Sequence, residues 1–112
     1  MEITVESRPA EDGRTVVEVT GEVDIYSAPT LDTHLAELMG AGRTRLVVDL
    51  SRVEFLDSTG LGVLVKYLKR TRELDGSLDI VAADDRIVKV FRITGLDSVI
   101  ALHPSLDAAL AG

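Results

Sequence analysis

An α/β fold, with an opening hairpin and a mixed, largely parallel sheet, is predicted by three features of this chain. A short alternating segment and a tight turn begin it. Two strand-to-helix transitions follow, and from there helical stripes and short apolar runs alternate to the C-terminal end. Strands separated by helices need crossover connections, so the later strands should run parallel while the hairpin adds an antiparallel pair.

Each element has its own signal. Ile3-Thr4-Val5-Glu6 alternates apolar and polar, as a half-exposed edge strand does. Glu11-Asp12-Gly13-Arg14 is a turn, with Asp-Gly the strong two-residue hairpin signal, and Thr15 to Thr20 returns as a strand closed by Gly21. Glu22 to Tyr26 reads as a connection carrying two acids. Ser27 is a candidate helix cap, Pro29 suits a first turn, and Leu31, Leu35, Leu38 and Met39 recur at helical spacing up to Gly40-Ala41-Gly42. Leu46-Val47-Val48-Asp49-Leu50 is short and nearly all apolar, as in a central strand. After Phe55-Leu56-Asp57-Ser58 comes the stripe Leu61, Leu64, Val65 and Leu68, with Lys66, Lys69, Arg70 and Arg72 mostly on the wet side. Leu78 to Ala82 is a further strand, and Ile87, Val88, Val90 and Phe91 a third helix stopped near Gly95. Ser98 to Leu102 is expected as the last strand, and Ser105 to Leu110 as a closing helix capped by Ser105.

Composition narrows the function classes. The 112 residues form a single expected domain, with 46% hydrophobic and 28% charged residues as in a soluble globular fold. The net charge of −7 comes from 19 acidic and 12 basic residues. Such a field repels phosphate backbones and anionic lipids, so neither nucleic acid nor membrane is expected as a partner. No apolar run approaches the ~20 residues of a membrane span, and Met1-Glu2-Ile3-Thr4 does not read as a signal peptide, which makes the cytoplasm the expected location. Without cysteine there is no disulfide or thiolate site, and His34 and His103 stand apart without neighbouring ligands. No metal or cofactor is expected.

One segment breaks its local rules. Asp57-Ser58-Thr59-Gly60-Leu61-Gly62-Val63 opens a helix with two glycines close to its start, each costing about 1 kcal/mol relative to alanine. Asp57 or Ser58 as a plain cap, with glycines for tight packing, is one account. The other starts from the hydroxyls of Ser58 and Thr59, which stand where free N–H groups and the helix dipole favour an anion. A phosphate there adds about −1.5 to −2 charge. The dipole offsets roughly 0.3–1 kcal/mol of its cost, up to ~2 if partly buried. Against a partner carboxylate at ~4 Å the repulsion is roughly 4 kcal/mol per unit-charge pair before screening, and half of that exceeds tenfold in affinity.

Phe55-Leu56-Asp57-Ser58-Thr59-Gly60-Leu61-Gly62-Val63 resembles the signature of the anti-sigma factor antagonists (anti-anti-sigma factors), the single-domain STAS proteins. Gly21-Glu22-Val23-Asp24 resembles the acidic turn that this family uses in partner contact. Val47-Val48-Asp49-Leu50-Ser51 resembles its central strand, and Phe91-Arg92-Ile93-Thr94-Gly95-Leu96 its late helix end. The resemblance spans nearly the whole chain and implies one STAS domain over 1–112. It implies regulation of transcription by partner switching: the unphosphorylated protein binds an anti-sigma factor and releases a sigma factor. That partner is in many systems an ATP- and magnesium-dependent serine kinase, and a metal-dependent serine phosphatase reverses its action. The family's modified hydroxyl directly follows the aspartate, which implies Ser58, with Thr59 as the alternative. Glu22, Asp24, Asp57, Ser58, Thr59, Gly60, Leu61 and Gly62 are the implied partner-binding residues. None is catalytic in the strict sense, because Ser58 is a substrate side chain.

The rival classes are weaker. A serine hydrolase lacks the Gly-x-Ser-x-Gly elbow and a base near Ser58, and no lysine follows the glycines as in a phosphate-binding loop. A receiver-type phosphoacceptor at Asp49 or Asp57 would need an acidic pair after its first strand and a late lysine, and Leu102-His103-Pro104 supplies none. Within the same family, a scaffold or transporter-associated binding module is the alternative role.

Overall fold

Residues 3–111 are described by the computed structural model. Among them the order is β1 (Ile3–Pro9), β2 (Thr15–Val23), α1 (Ala28–Gly40), β3 (Arg45–Leu56), α2 (Ser58–Glu73), β4 (Ser77–Val81), α3 (Asp85–Ile93), a 3-10 turn (Leu96–Ser98), β5 (Leu102–His103) and α4 (Leu106–Ala111). The strands form one sheet in the order β1-β2-β3-β4-β5. β1 and β2 are antiparallel, and every later pair is parallel. The alternation of helix and strand thus produces the mixed sheet expected of it.

Period-two alternation in β3 divides the sheet's two faces. Leu46, Val48 and Leu50 join Leu31 and Leu35 of α1, Leu61 and Leu64 of α2, and Ile87 and Phe91 of α3 in the main core. Val47 turns the other way and meets Val81 and Ala109, with Leu106 and Leu110 of α4 packed around them. Three helices therefore cover one face and α4 covers part of the other. Arg14 holds α4 in place. Its buried guanidinium donates to the carbonyls of Ala109 and Leu110 at 3.0 Å each, which satisfies acceptors at the helix end, and it pairs with Asp12 at 2.6 Å.

Several boundaries differ from expectation. The hairpin loop is longer than two residues: Pro9 pairs with Thr15, and the Ala10 amide donates to the Arg14 carbonyl at 2.7 Å. β2 does not stop at Gly21, because Gly21, Glu22 and Val23 pair with Val53, Phe55 and Leu56 across register shifts. That pairing also carries β3 from Leu50 on to Leu56. Ser98 to Ala101 is not strand. Gly95 takes a left-handed conformation (φ 76°), and the amides of Val99 and Ile100 donate back to the Leu96 carbonyl, so the chain curls before β5. On α2 the buried stripe is wider than the leucines alone, since Val63, Tyr67 and Thr71 are also buried while Val65 is half-buried. Among the described residues no helix is long and apolar enough to cross a membrane.

Candidate functional site

The neighbouring C-terminal ends of β2 and β3 bring the two acidic segments together. Val23 pairs with Leu56, and the Asp57 amide donates to the Val23 carbonyl at 3.1 Å. At Asp57 the backbone is still extended, and its Oδ1 accepts from the amides of Thr59 (2.9 Å) and Gly60 (3.0 Å). Asp57, not Ser58, is therefore the cap of α2. Ser58 is left as the first helical residue, exposed beside an equally exposed Thr59.

The two glycines have different reasons. A Cβ on Gly60 would lie 2.6 Å from Leu56 Cδ1 and 2.7 Å from Val23 Cγ1, so this glycine lets the first turn of α2 sit directly on the strand ends. A Cβ on Gly62 would meet nothing within 4 Å. Gly62 lies four residues after Ser58, on the same face of α2, and is exposed. Packing inside the chain accounts for Gly60 and leaves Gly62 unexplained. Leu61 between them is buried and anchors the turn in the core.

Opposite, Asp24 builds a compact turn. Its Oδ1 accepts from the amides of Tyr26 and Ser27 at 2.9 Å each, and the Ser27 amide is the foremost reason that its carboxyl titrates below the usual range. Ser27 does not cap α1 with its side chain. Its Oγ instead donates to the Glu22 carbonyl at 2.7 Å and accepts from the Asp24 amide at 2.9 Å. Glu22 is half-buried, and its Oε2 finds no hydrogen-bond partner among the described residues. The expected site residues are thus gathered at one end of the sheet, but the two acids of the turn face inward more than their sequence context implies.

The histidines lie elsewhere. His34 lines a groove along α1 with Pro29, Thr30, Thr33 and Glu37, and His103 Nε2 lies 3.3 Å from Asp79 Oδ2. Among the described residues no three His, Cys, Asp or Glu side chains cluster as metal ligands would.

A family model described as the STAS domain matches residues 4–109. The chain belongs to the STAS domain family. This STAS domain is 38% identical over 94 residues to an anti-sigma-B factor antagonist of Bacillus subtilis (strain 168), covering 84% of this chain and 85% of that protein. It is 36% identical over 91 residues to an anti-sigma-B factor antagonist of Staphylococcus aureus (strain NCTC 8325 / PS 47), covering 81% and 84%. Its fold is similar to the crystal structure of an anti-sigma factor antagonist from Mycobacterium paratuberculosis, with a TM-score of 0.86, 34% identity, and 97% and 92% of the two chains covered.

Sequence reasoning missed the apolar part of this STAS surface. Ile25, Tyr26 and Phe55 are exposed at 62%, 85% and 47%. The available signal was their place in the sequence, Ile25 and Tyr26 directly after Asp24 and Phe55 two residues before Asp57, where no helical stripe accounts for them.

Proposed function

We propose that this STAS domain is an anti-sigma factor antagonist whose unphosphorylated form binds an anti-sigma factor and so frees a sigma factor. On this reading the partner is also a serine kinase, phosphorylation of Ser58 switches the antagonist off, and a metal-dependent serine phosphatase resets it in the cytoplasm. The observation that carries the reading is the placement of Ser58: an exposed hydroxyl at the first position of α2, directly after an Asp57 cap that leaves it outside the cap's hydrogen bonds. The relatives' names support the same class of partner.

In the transfer step the Ser58 oxygen attacks the γ-phosphorus of ATP as the bond to ADP breaks. The hydroxyl proton passes to a base on the kinase. The chain supplies the nucleophile and its presentation, and the partner supplies the catalytic groups. The new phosphate then lies against the kinase's own carboxylate and the phosphates of ADP, where like charges repel. Its place at a helix N-terminus keeps it compatible with the fold. Thr59, whose hydroxyl is equally exposed, is the alternative acceptor.

Phosphopeptide mapping after incubation with the kinase and ATP tests the assignment. The label is expected on Ser58 and absent from Ser58→Ala. Label on Thr59, or undiminished in Ser58→Ala, would refute it.

A further inference from the structure

The geometry points to Ile25, Tyr26 and Phe55 as the apolar anchors that dock the partner, with Asp24 serving as a positioning residue that shapes the turn presenting two of them. The inference rests on the partner-switch reading and deepens it by naming the contact chemistry.

The chain has four aromatic residues, two Tyr and two Phe. Tyr67 and Phe91 are fully enclosed in the core, whereas Tyr26 and Phe55 are both exposed at the Ser58 end of the sheet. Scattered exposed apolar residues are ordinary, but three of them in the β2–α1 turn and at the adjoining end of β3 are not. Phe55 pairs in register with Glu22, and Tyr26 follows in the turn that leaves β2. Both connections are fastened to each other by the Asp57–Val23 backbone bond.

The turn is held tightly. Ser27 Oγ bridges the Glu22 carbonyl and the Asp24 amide, Asp24 Oδ1 takes the amides of Tyr26 and Ser27, and the Ala28 amide returns to the Asp24 carbonyl at 2.8 Å. The side chains left outside this network are those of Ile25 and Tyr26. A backbone restrained before binding loses little freedom on docking, which is the condition under which an exposed tyrosine contributes most affinity. The Asp24 oxygen that accepts those amides is already engaged, so its first duty is to the turn.

Charge describes the occupant. Glu22, Asp24, Glu54 and Asp57 flank these residues in the two segments, and the guanidinium of Arg86, close enough to Glu54 to feel its charge, is held by Asp84 at 2.7 Å. The complementary surface is an apolar cleft with a Lys/Arg rim on the anti-sigma factor. Apolar contacts do not sense the phosphate charge. The anchors therefore set overall affinity, while Ser58 sets the ratio between the two phosphorylation states.

Calorimetric titration against the purified anti-sigma factor kinase, with and without phosphorylation, tests this. The variants are Ile25→Ala, Tyr26→Ala and Phe55→Ala, with Leu74→Ala as a comparably exposed apolar control about 24 Å away along α2. Tyr26→Ala and Phe55→Ala are expected to weaken binding about tenfold or more with wild-type melting. The ratio between phosphorylation states should stay at the wild-type value. Leu74→Ala should bind as wild type. Tyr26→Ala and Phe55→Ala binding within about twofold of wild type would overturn the anchor assignment, and so would a Leu74→Ala loss as large as that of Tyr26→Ala. A wild-type protein that binds no anti-sigma factor kinase would overturn the partner reading itself, and this inference with it.

Discussion

Ser58 differs from its neighbour by what the cap does to each. Thr59 lends its amide to Asp57, and Ser58 lends nothing, so a charge added to Ser58 leaves the start of α2 intact. Ser58→Ala is therefore expected to bind the anti-sigma factor and to stay bound in the presence of kinase and ATP. Ser58→Asp should bind less well, with a partial defect because one carboxylate carries less charge than a phosphate. Circular dichroism should show wild-type secondary structure for both. Wild-type affinity in Ser58→Asp together with loss of binding in Ser58→Ala would mean that the hydroxyl, not the charge, governs docking.

At the scale of the element, the two glycines of α2 give opposite expectations from the same substitution. Gly60→Ala drives a methyl into Leu56 and Val23, and overpacking of this kind costs roughly 1–3 kcal/mol against a helix-propensity gain of about 1. Gly62→Ala meets open space and should raise stability by up to about 1 kcal/mol while weakening partner binding, because a methyl then stands on the face shared with Ser58. Denaturant melts and titrations of the pair check both signs. The segment holding these glycines was legible because it broke helix propensity in a row of otherwise consistent signals. The cap was legible only as Asp57 or Ser58, since choosing between them takes backbone dihedrals. The end of β2 was not legible: Gly21 reads as a stop, and only pairing with β3 carries the strand to Val23. Ser27 stands at the N-cap of α1 as the sequence suggests, but its side chain serves elsewhere. Its hydroxyl found the Glu22 carbonyl and the Asp24 amide, contacts that depend on how the turn closes. The last strand failed as an expectation because Val99 and Ile100 have strand composition but lie just after the left-handed Gly95.

Across the whole molecule, α1 and α2 are tied by one polar group of three. Lys66 Nζ donates to Asp32 Oδ2 at 2.6 Å, and the Tyr67 hydroxyl donates to the other Asp32 oxygen and to its backbone carbonyl. The hydrogen bond from Lys66, then that from Tyr67, holds the Asp32 carboxyl below the ordinary range. A depressed folded-state pKa contributes stability above the unfolded value of about 4, lost as pH falls through the folded value. Burial, then Asp32, pushes the Tyr67 phenol up to about 12. A raised value contributes stability that is complete below pH ~10 and lost as pH rises toward 12. Melting temperature followed across pH should thus show an acid limb reduced in Asp32→Asn and an alkaline limb reduced in Tyr67→Phe. This tie would hold α1 and α2 in register were Ser58, at the start of α2, to gain a phosphate. The continuous buried stripe Leu61, Leu64 and Leu68 resists unwinding as well, each such side chain contributing roughly 1.5–3 kcal/mol. On the proposed reading, the switch is therefore expected to be local. Backbone amide shifts compared before and after phosphorylation test this most directly. The account predicts changes confined to Ser58 and its neighbours in the first turn of α2 and the Asp24–Ser27 turn, and changes spread over the sheet and along α1 would contradict it.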